Sequence, residues 1–223
     1  YQNVAALLDA IAAKGGKNAH HAQSQKAYVD RLYAASGAAD CGQMDQMYAS
    51  VVAESATDLE KLGSIMKLYR RLGCTESDVY FAAAENAHKL QPTAESAAGC
   101  AQMCIKKEDY VGAVDYYKQA LSMVDNDEDK ADYLYRMANV YVAMKNYQQG
   151  AAIAQQALDV NAEDGRCYLL LGICYASAKI YDDPILARSV FWVACDMFRK
   201  AKTVDSSCSS DANKLIATYS QYF

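Results

Sequence analysis

Proline and glycine are scarce in this chain: two prolines and eleven glycines punctuate 223 residues. Runs of β-branched residues alternating with polar ones are missing, so the pattern of a half-buried strand is absent. No apolar run approaches the roughly 18 residues of a membrane-spanning helix. The richest stretch, Tyr168 to Ala178, is shorter and holds Gly172 and Ser177. The net charge is −5, with acids and bases interspersed, and no basic patch points to nucleic acid. The densest basic run, Lys67-Leu68-Tyr69-Arg70-Arg71, suits a helix end, where cations complement the dipole. The acidic run Asp125-Asn126-Asp127-Glu128-Asp129 starts like a calcium loop. It lacks the glycine and the distal glutamate of such a loop, and reads as a solvated connection between helices.

Signs of catalysis are also missing. The histidines His20, His21 and His88 fall in no metal-binding spacing, and no P-loop, dinucleotide fingerprint or nucleophile elbow occurs. There are eight cysteines but no CxxC. Cys100 and Cys104 lie one helical turn apart, yet no third or fourth ligand with recognisable spacing follows. They read as small buried hydrophobes, where a thiol is inert. The expectation is a protein that is not an enzyme and has no cofactor and no metal.

What the chain does have is alanine, leucine, lysine, glutamine and glutamate in plenty, which favours helix. An internal repeat organises them. Ala113-x3-Tyr117-x2-Ala120 recurs as Gly150-x3-Ala154-x2-Ala157 and as Ala194-x3-Phe198-x2-Ala201, with a degenerate copy at Tyr80-x3-Ala84-x2-Ala87. The final alanines are 33, 37 and 44 residues apart. Each copy follows another helix with its own stripe: Leu62-x2-Ile65-Met66-x2-Tyr69, Ala97-x2-Cys100-Ala101-x2-Cys104, Leu134-x2-Met137-Ala138-x2-Tyr141 and Tyr168-x2-Leu171-Gly172-x2-Tyr175. Spacings of three and four mark one buried face of a helix. The small residues Ala101, Ala138 and Gly172 let the second helix approach closely, as Ala113 and Ala120 do from the other side. Tyr110 and Tyr117 fill the holes between neighbouring pairs.

Helix, turn, helix at a period near 34 resembles the tetratricopeptide repeat. The resemblance covers about Leu59 to the end. It implies an all-α fold: a right-handed α-solenoid of antiparallel helix pairs. The boundaries read as degenerate N-terminal helices over 1–57, a degenerate repeat over 59–92, and repeats over 94–127, 131–164 and 165–206. The last repeat carries an insertion near 179–188, and a capping helix covers 209–223. In the N-terminal part, Asn18 to Ala35 reads as a helix with Tyr28, Leu32 and Ala35 on one face. Cys41 to Ala53 reads as its partner, and Asn3 to Ala13 as a further helix. Two departures from the family pattern stand out. Tryptophan is absent from the first helices, and the helix after Asp183-Pro184 runs on to about Lys202, with first turns that project beyond the stack. The aromatics Tyr222 and Phe223 are expected to be followed by more chain or to pack on a neighbouring surface.

The whole chain also resembles exported tetratricopeptide proteins of Gram-negative gut anaerobes. The residues that carry this are Asp40-Cys41-Gly42-Gln43, Gly73-Cys74-Thr75-Glu76-Ser77, Ala212-Asn213-Lys214-Leu215-Ile216 and Tyr219-Ser220-Gln221-Tyr222-Phe223. That resemblance implies an exported protein of the periplasm or cell envelope, with a cytoplasmic one as the alternative, and a scaffold role. The chain starts at Tyr1 and not Met, as either a processed or an artificially shortened chain does, and a cleaved signal peptide would lie outside it. In an exported protein, Cys41 and Cys74, each in the turn before the second helix of successive pairs, can form a disulfide. Against it stands the 8–10 Å packing distance of neighbouring helices, so the turns would have to lean together.

In the tetratricopeptide family the first helix of each pair lines a concave face that binds peptides. The resemblance places Lys67 and Arg70 there, then Glu95, Ala98, Gln102 and Lys106. Asp132, Tyr135, Arg136, Asn139 and Val142 follow, then Arg166, Leu169 and Ile173. Some members grip a C-terminal carboxylate with lysine and asparagine on one first helix. Ala98 and Gln102 stand at those places here, so tight binding of acidic tail peptides is not expected. The functional expectation is a scaffold holding a protein or peptide partner. The alternatives are a solenoid that self-associates as a homo-oligomer without a groove ligand, and a face that is solvated or filled by the chain's own termini.

Overall fold

Most helices in this chain begin where a short polar side chain can receive a free backbone N–H. Asp58 accepts from the amide of Lys61, Ser77 from Val79 and Tyr80, Thr93 from Ser96, Asp109 from Gly112, Asn126 from Asp129 and Asn146 from Gln149. Asp40 and Gln43 cap each other reciprocally. Each such cap contributes about 1 kcal/mol. The computed structural model describes residues 1–16, 18–36, 38–177 and 183–222. Among them are twelve α-helices and no strand.

The chain divides into two compact units, Tyr1–Pro92 and Thr93–Phe223. The first contains α1 (Gln2–Ala13), α2 (Ala19–Ala35), α3 (Cys41–Glu54), α4 (Leu59–Arg71) and α5 (Asp78–Leu90). The second contains α6 (Ala94–Lys106), α7 (Tyr110–Met123), α8 (Asp127–Ala143), α9 (Tyr147–Val160), α10 (Gly165–Ser177), α11 (Pro184–Val204) and α12 (Ser209–Tyr219). In the pairs α4–α5, α6–α7, α8–α9 and α10–α11 the two helices pack side by side.

The turns inside three of these pairs share one conformation. Gly73, Glu108 and Lys145 all have a positive φ, of 71°, 60° and 59°. The next amide in each case reaches back five residues: Cys74 to Tyr69 O at 2.9 Å, Asp109 to Cys104 O and Asn146 to Tyr141 O at 2.8 Å. Gly73, Glu108 and Lys145 themselves donate three residues back, to Arg70, Ile105 and Val142. This double bond is the Schellman end, which satisfies carbonyls the helix leaves open. The second helices also end alike. The amides of Gln91, Val124, Asn161 and Asp205 donate to Ala87, Ala120, Ala157 and Ala201. These are the four final alanines of the sequence repeat, and all are buried.

In the first unit, Leu62, Ile65, Met66 and Tyr69 of α4 are buried together with Tyr80, Phe81, Ala83, Ala84 and Ala87 of α5. The N-terminal helices depart from the sequence reading. The backbone of α2 packs on α1, and that of α3 packs on α5. Tyr28 and Leu32, expected on a shared inner face, are 54% and 53% exposed. The buried residues of α2 include Ala22, Asp30 and Ala34. Asp30 explains the difference. It lies about half a turn round α2 from Tyr28, and its carboxylate accepts from the Tyr1 hydroxyl at 2.7 Å and from Lys26 at 3.2 Å, so the helix turns inward the face opposite its apolar stripe.

In the second unit, small and large residues interlock. Ala97, Ala101, Ala113, Tyr117, Ala120, Ala138, Ala154 and Ala157 are completely shielded from water. A methyl group on Gly172 would collide with the ring of Phe198, which is itself fully buried. A methyl on Gly150 would meet Val142, Cys174 and the carbonyl of Ala138 within 3.4 Å. The Phe198 ring also stacks on Tyr219, with centroids 5.7 Å apart. So the aromatic of the second helix fills both the notch in its own partner and the space before the next helix.

α11 begins at Pro184, where the Ala187 amide donates to Asp183 O at 2.8 Å, and continues to Val204, two residues past the expected end. Residues 178–182, including Lys179, Ile180 and Tyr181 of the insertion, lie outside the described residues, as do the side chains of Ile185 and Leu186. Phe223 lies outside them as well, while Tyr222 stacks on Phe191 at 4.9 Å. Among the described residues no helix is long and apolar enough to cross a membrane.

Candidate peptide-binding face of the second unit

The first helices α8 and α10 are joined by a charged network. Asp132, on α8, accepts from Arg136 Nε one turn on at 2.6 Å and from Arg166 Nη1 on α10 at 3.3 Å. Asp164, just before α10, holds Arg166 with both oxygens, from Nε at 3.0 Å and Nη2 at 2.7 Å. Asp164 also accepts from the backbone amide of Arg166 at 3.0 Å, so one carboxylate starts the helix and fixes the side chain. The Arg166 guanidinium lies over the Tyr135 ring, 4.4 Å from its centre. Its pKa is raised above the ordinary arginine value, chiefly by the hydrogen bonds to Asp164, with burial acting in the opposite sense. A two-oxygen arginine–carboxylate pair is among the stronger polar contacts available.

Asn139, one turn past Tyr135, donates to the Tyr135 carbonyl at 3.0 Å. Its side chain is thereby held while its oxygen remains an acceptor. Tyr135, Arg136, Asn139 and Val142 are all half-buried on α8, and Arg166 is exposed on α10. The structure therefore brings Tyr135, Arg136, Asn139 and Arg166 of the sequence-derived set together. It adds Asp164, which sequence reasoning missed. The signal was available: an aspartate two residues before an arginine at the start of a helix pattern is a cap position.

The other candidates are placed differently. Leu169 and Ile173 are half-buried and pack against the cluster of Ala194, Cys195, Phe198 and Ala212, so much of their surface faces their own unit. Gln102, expected on an open face, is 6% exposed, and its Oε1 has no hydrogen-bond partner. Lys106 is the last residue of α6 and is exposed. Lys67 and Arg70 are exposed on α4 in the first unit.

Cys41 and Cys74 are joined in a disulfide with Cα atoms 5.4 Å apart. The two residues come closer than helix axes do because Cys41 is the first residue of α3 and Cys74 follows the Schellman end of α4, so the bond joins helix ends. The remaining cysteines, Cys100, Cys104, Cys167, Cys174, Cys195 and Cys208, are not disulfide-bonded and are buried. Burial pushes the Cys167 thiol up to about 12 and the Cys174 thiol to about 11, which leaves them protonated and unreactive at neutral pH. Among the described residues no cluster of three or more His, Cys, Asp and Glu side chains could hold a metal ion.

The helix pairs with their repeated caps define an all-α solenoid of the tetratricopeptide type. Two crystal structures of MamA share this fold at a TM-score of 0.56. One is 17% identical over 76% of this chain and 92% of the other. The second is 16% identical over 94% and 96%. A crystal structure of YrrB, described as "a TPR protein with an unusual peptide-binding site", aligns at a TM-score of 0.48 and 19% identity over 78% of this chain and 91% of the other. At these identities the likeness concerns the fold alone. No protein-family model matches the chain, and no curated protein sequence does.

Proposed function

We propose that the chain is a non-catalytic interaction scaffold that holds a peptide or protein segment against the α8–α10 face of its second unit. The observation that carries this reading is the Asp132–Arg136–Arg166–Asp164 network over Tyr135. It fixes an aromatic ring, a carboxamide and four charges across two helices before any partner arrives, and such preorganisation lowers the ordering cost of binding. Both arginines are already paired with carboxylates. An acidic tail would have to displace Asp132 or Asp164, so the preferred segment presents apolar side chains to Tyr135 and backbone N–H groups to the Asn139 oxygen.

The test is a pull-down from the source cells with the intact protein and with Tyr135→Ala/Asn139→Ala. Loss of a captured partner from a variant that keeps its helical signal and a cooperative thermal transition supports the face. A partner retained in full moves the binding site elsewhere. Low-micromolar binding of an acidic tail peptide by calorimetry would refute the charge argument.

Self-association is a second reading. It is favoured by the exposure of Val4, Leu7, Tyr28 and Leu32 on α1 and α2, and light scattering across a concentration series tests it. For location we propose an oxidising compartment, since a structural disulfide persists there. Non-reducing peptide mapping that finds Cys41 and Cys74 free in protein from the native compartment would remove that proposal.

A further inference from the structure

The two ends of the disulfide differ in access. Cys41, the first residue of α3, is exposed, whereas Cys74 is 3% exposed. The bond sits at a junction inside the first unit. On one side of α3, Asp45 accepts from the Tyr69 hydroxyl at 3.1 Å and from the Ser77 hydroxyl at 2.5 Å, and Tyr48 meets Tyr69 edge-on at 6.1 Å. Those contacts reach α4 and the start of α5. On the other side, Gln43 accepts from the Tyr33 hydroxyl at 2.9 Å, and Tyr33 stacks on Tyr1 at 3.9 Å. Those reach α2 and α1. α3 is thus the link through which the N-terminal helices are held to α4–α5, and the disulfide is its covalent fastening. All six other cysteines lie in the second unit, so the first unit contains no third thiol that could exchange with the bond.

We propose that this disulfide is a redox clamp, opened by thiol–disulfide exchange at the sulfur of Cys41, the more exposed of the two residues, which releases α1–α3 from α4–α5. The co-reactant is a dithiol reductant, either a protein dithiol or a small one. Its thiolate attacks Cys41 Sγ and forms a mixed disulfide. The old S–S bond breaks, and its electron pair leaves on Cys74 Sγ, which takes up a proton. The second thiol of the reductant then displaces Cys41 as a thiol, and the reductant departs as a disulfide. Two electrons and two protons enter the protein. Burial of Cys74 directs the first attack to Cys41, because access decides which sulfur is reached.

The experiment is hydrogen exchange of the full chain, with and without dithiothreitol, in the absence of denaturant. Reduction is expected to speed exchange in α1, α2 and α3 by about tenfold or more, the signature of a sub-global opening, while α6–α9 keep their rates. Unchanged rates in α1–α3 after complete reduction, or equal acceleration in both units, overturn the proposal. A second measurement does not depend on any variant folding. Brief exposure to reduced glutathione, followed by acid quench and peptide mapping, is expected to trap the adduct on Cys41. An adduct predominantly on Cys74 overturns the order of attack. Cys41→Ser/Cys74→Ser is expected to reproduce the reduced exchange pattern without reductant, and a variant with the oxidised pattern counts against the clamp.

Discussion

Replacing Gly172 with alanine sets two effects of opposite sign against each other. Glycine inside a helix costs about 1 kcal/mol relative to alanine, so on α10 alone the change should stabilise. The added methyl, however, would lie within 3 Å of Phe198 ring carbons. That ring cannot retreat easily, since it is fully buried and backed by Tyr219. Overpacking of this kind costs about 1–3 kcal/mol, so the net expectation is destabilisation by up to about 2 kcal/mol. At about 2–4 °C per kcal/mol for a chain of this size, calorimetry should show the melting of the second unit drop by up to several degrees. Gly63 is the matched control. It lies within α4, and a methyl there would meet nothing within 4 Å, so Gly63→Ala should raise stability by about 1 kcal/mol. A third variant closes the cycle: with Phe198→Leu already in place, Gly172→Ala should lose most of its penalty. If Gly172→Ala stabilises as Gly63→Ala does, the interlock of notch and ring is not what shapes this pair.

Glu108→Gly and Lys145→Gly should each stabilise by somewhat less than 1 kcal/mol, since a left-handed backbone costs other residues about 1–2 kcal/mol and glycine's gain is reduced by its freer unfolded chain; urea midpoints measure this. Ala138→Tyr should destabilise by about 1–3 kcal/mol or more, because Ala138 is fully shielded and its carbonyl faces Gly150. Tyr135→Ala/Asn139→Ala should cost about 1 kcal/mol through the lost arginine–ring contact, which the urea midpoint measures. Above pH 9 the unfolded chain ionises Cys167 and Cys174 while the folded chain keeps them protonated up to about 12 and about 11. Their contribution is therefore complete below pH 9 and falls as pH rises towards those values, and Cys174→Ala should flatten the fall of the urea midpoint between pH 8 and 10.5.

The repeated pairs were legible because they depend on spacing alone. Ala87, Ala120, Ala157 and Ala201 are equivalent in sequence, and each ends its helix with the same backbone bond. The turns were legible as turns, but not their conformation. Gly73 announces a positive φ, whereas Glu108 and Lys145 adopt the same angle against their own preference, because the pairs on either side impose it. The N-terminal helices misled for another reason. Tyr28 and Leu32 form an apolar stripe, but burial there follows Asp30 and its partners, and periodicity does not register a buried acid. The face on α8 and α10 was half visible: the stripe located its flank, while the pairing of Arg166 with Asp164 and Asp132 needed the helices in place.

The distribution of sulfur has a bearing on how the chain is made. Six thiols become inaccessible only once α6 to α12 have packed, and two others must find each other across 33 residues. Until the second unit closes, every one of the eight can couple with any other. Speed of packing in that unit therefore acts as the chain's protection against mispairing. A helical stack rich in local contacts, the kind that folds fastest, is well suited to hide its thiols before an oxidant reaches them.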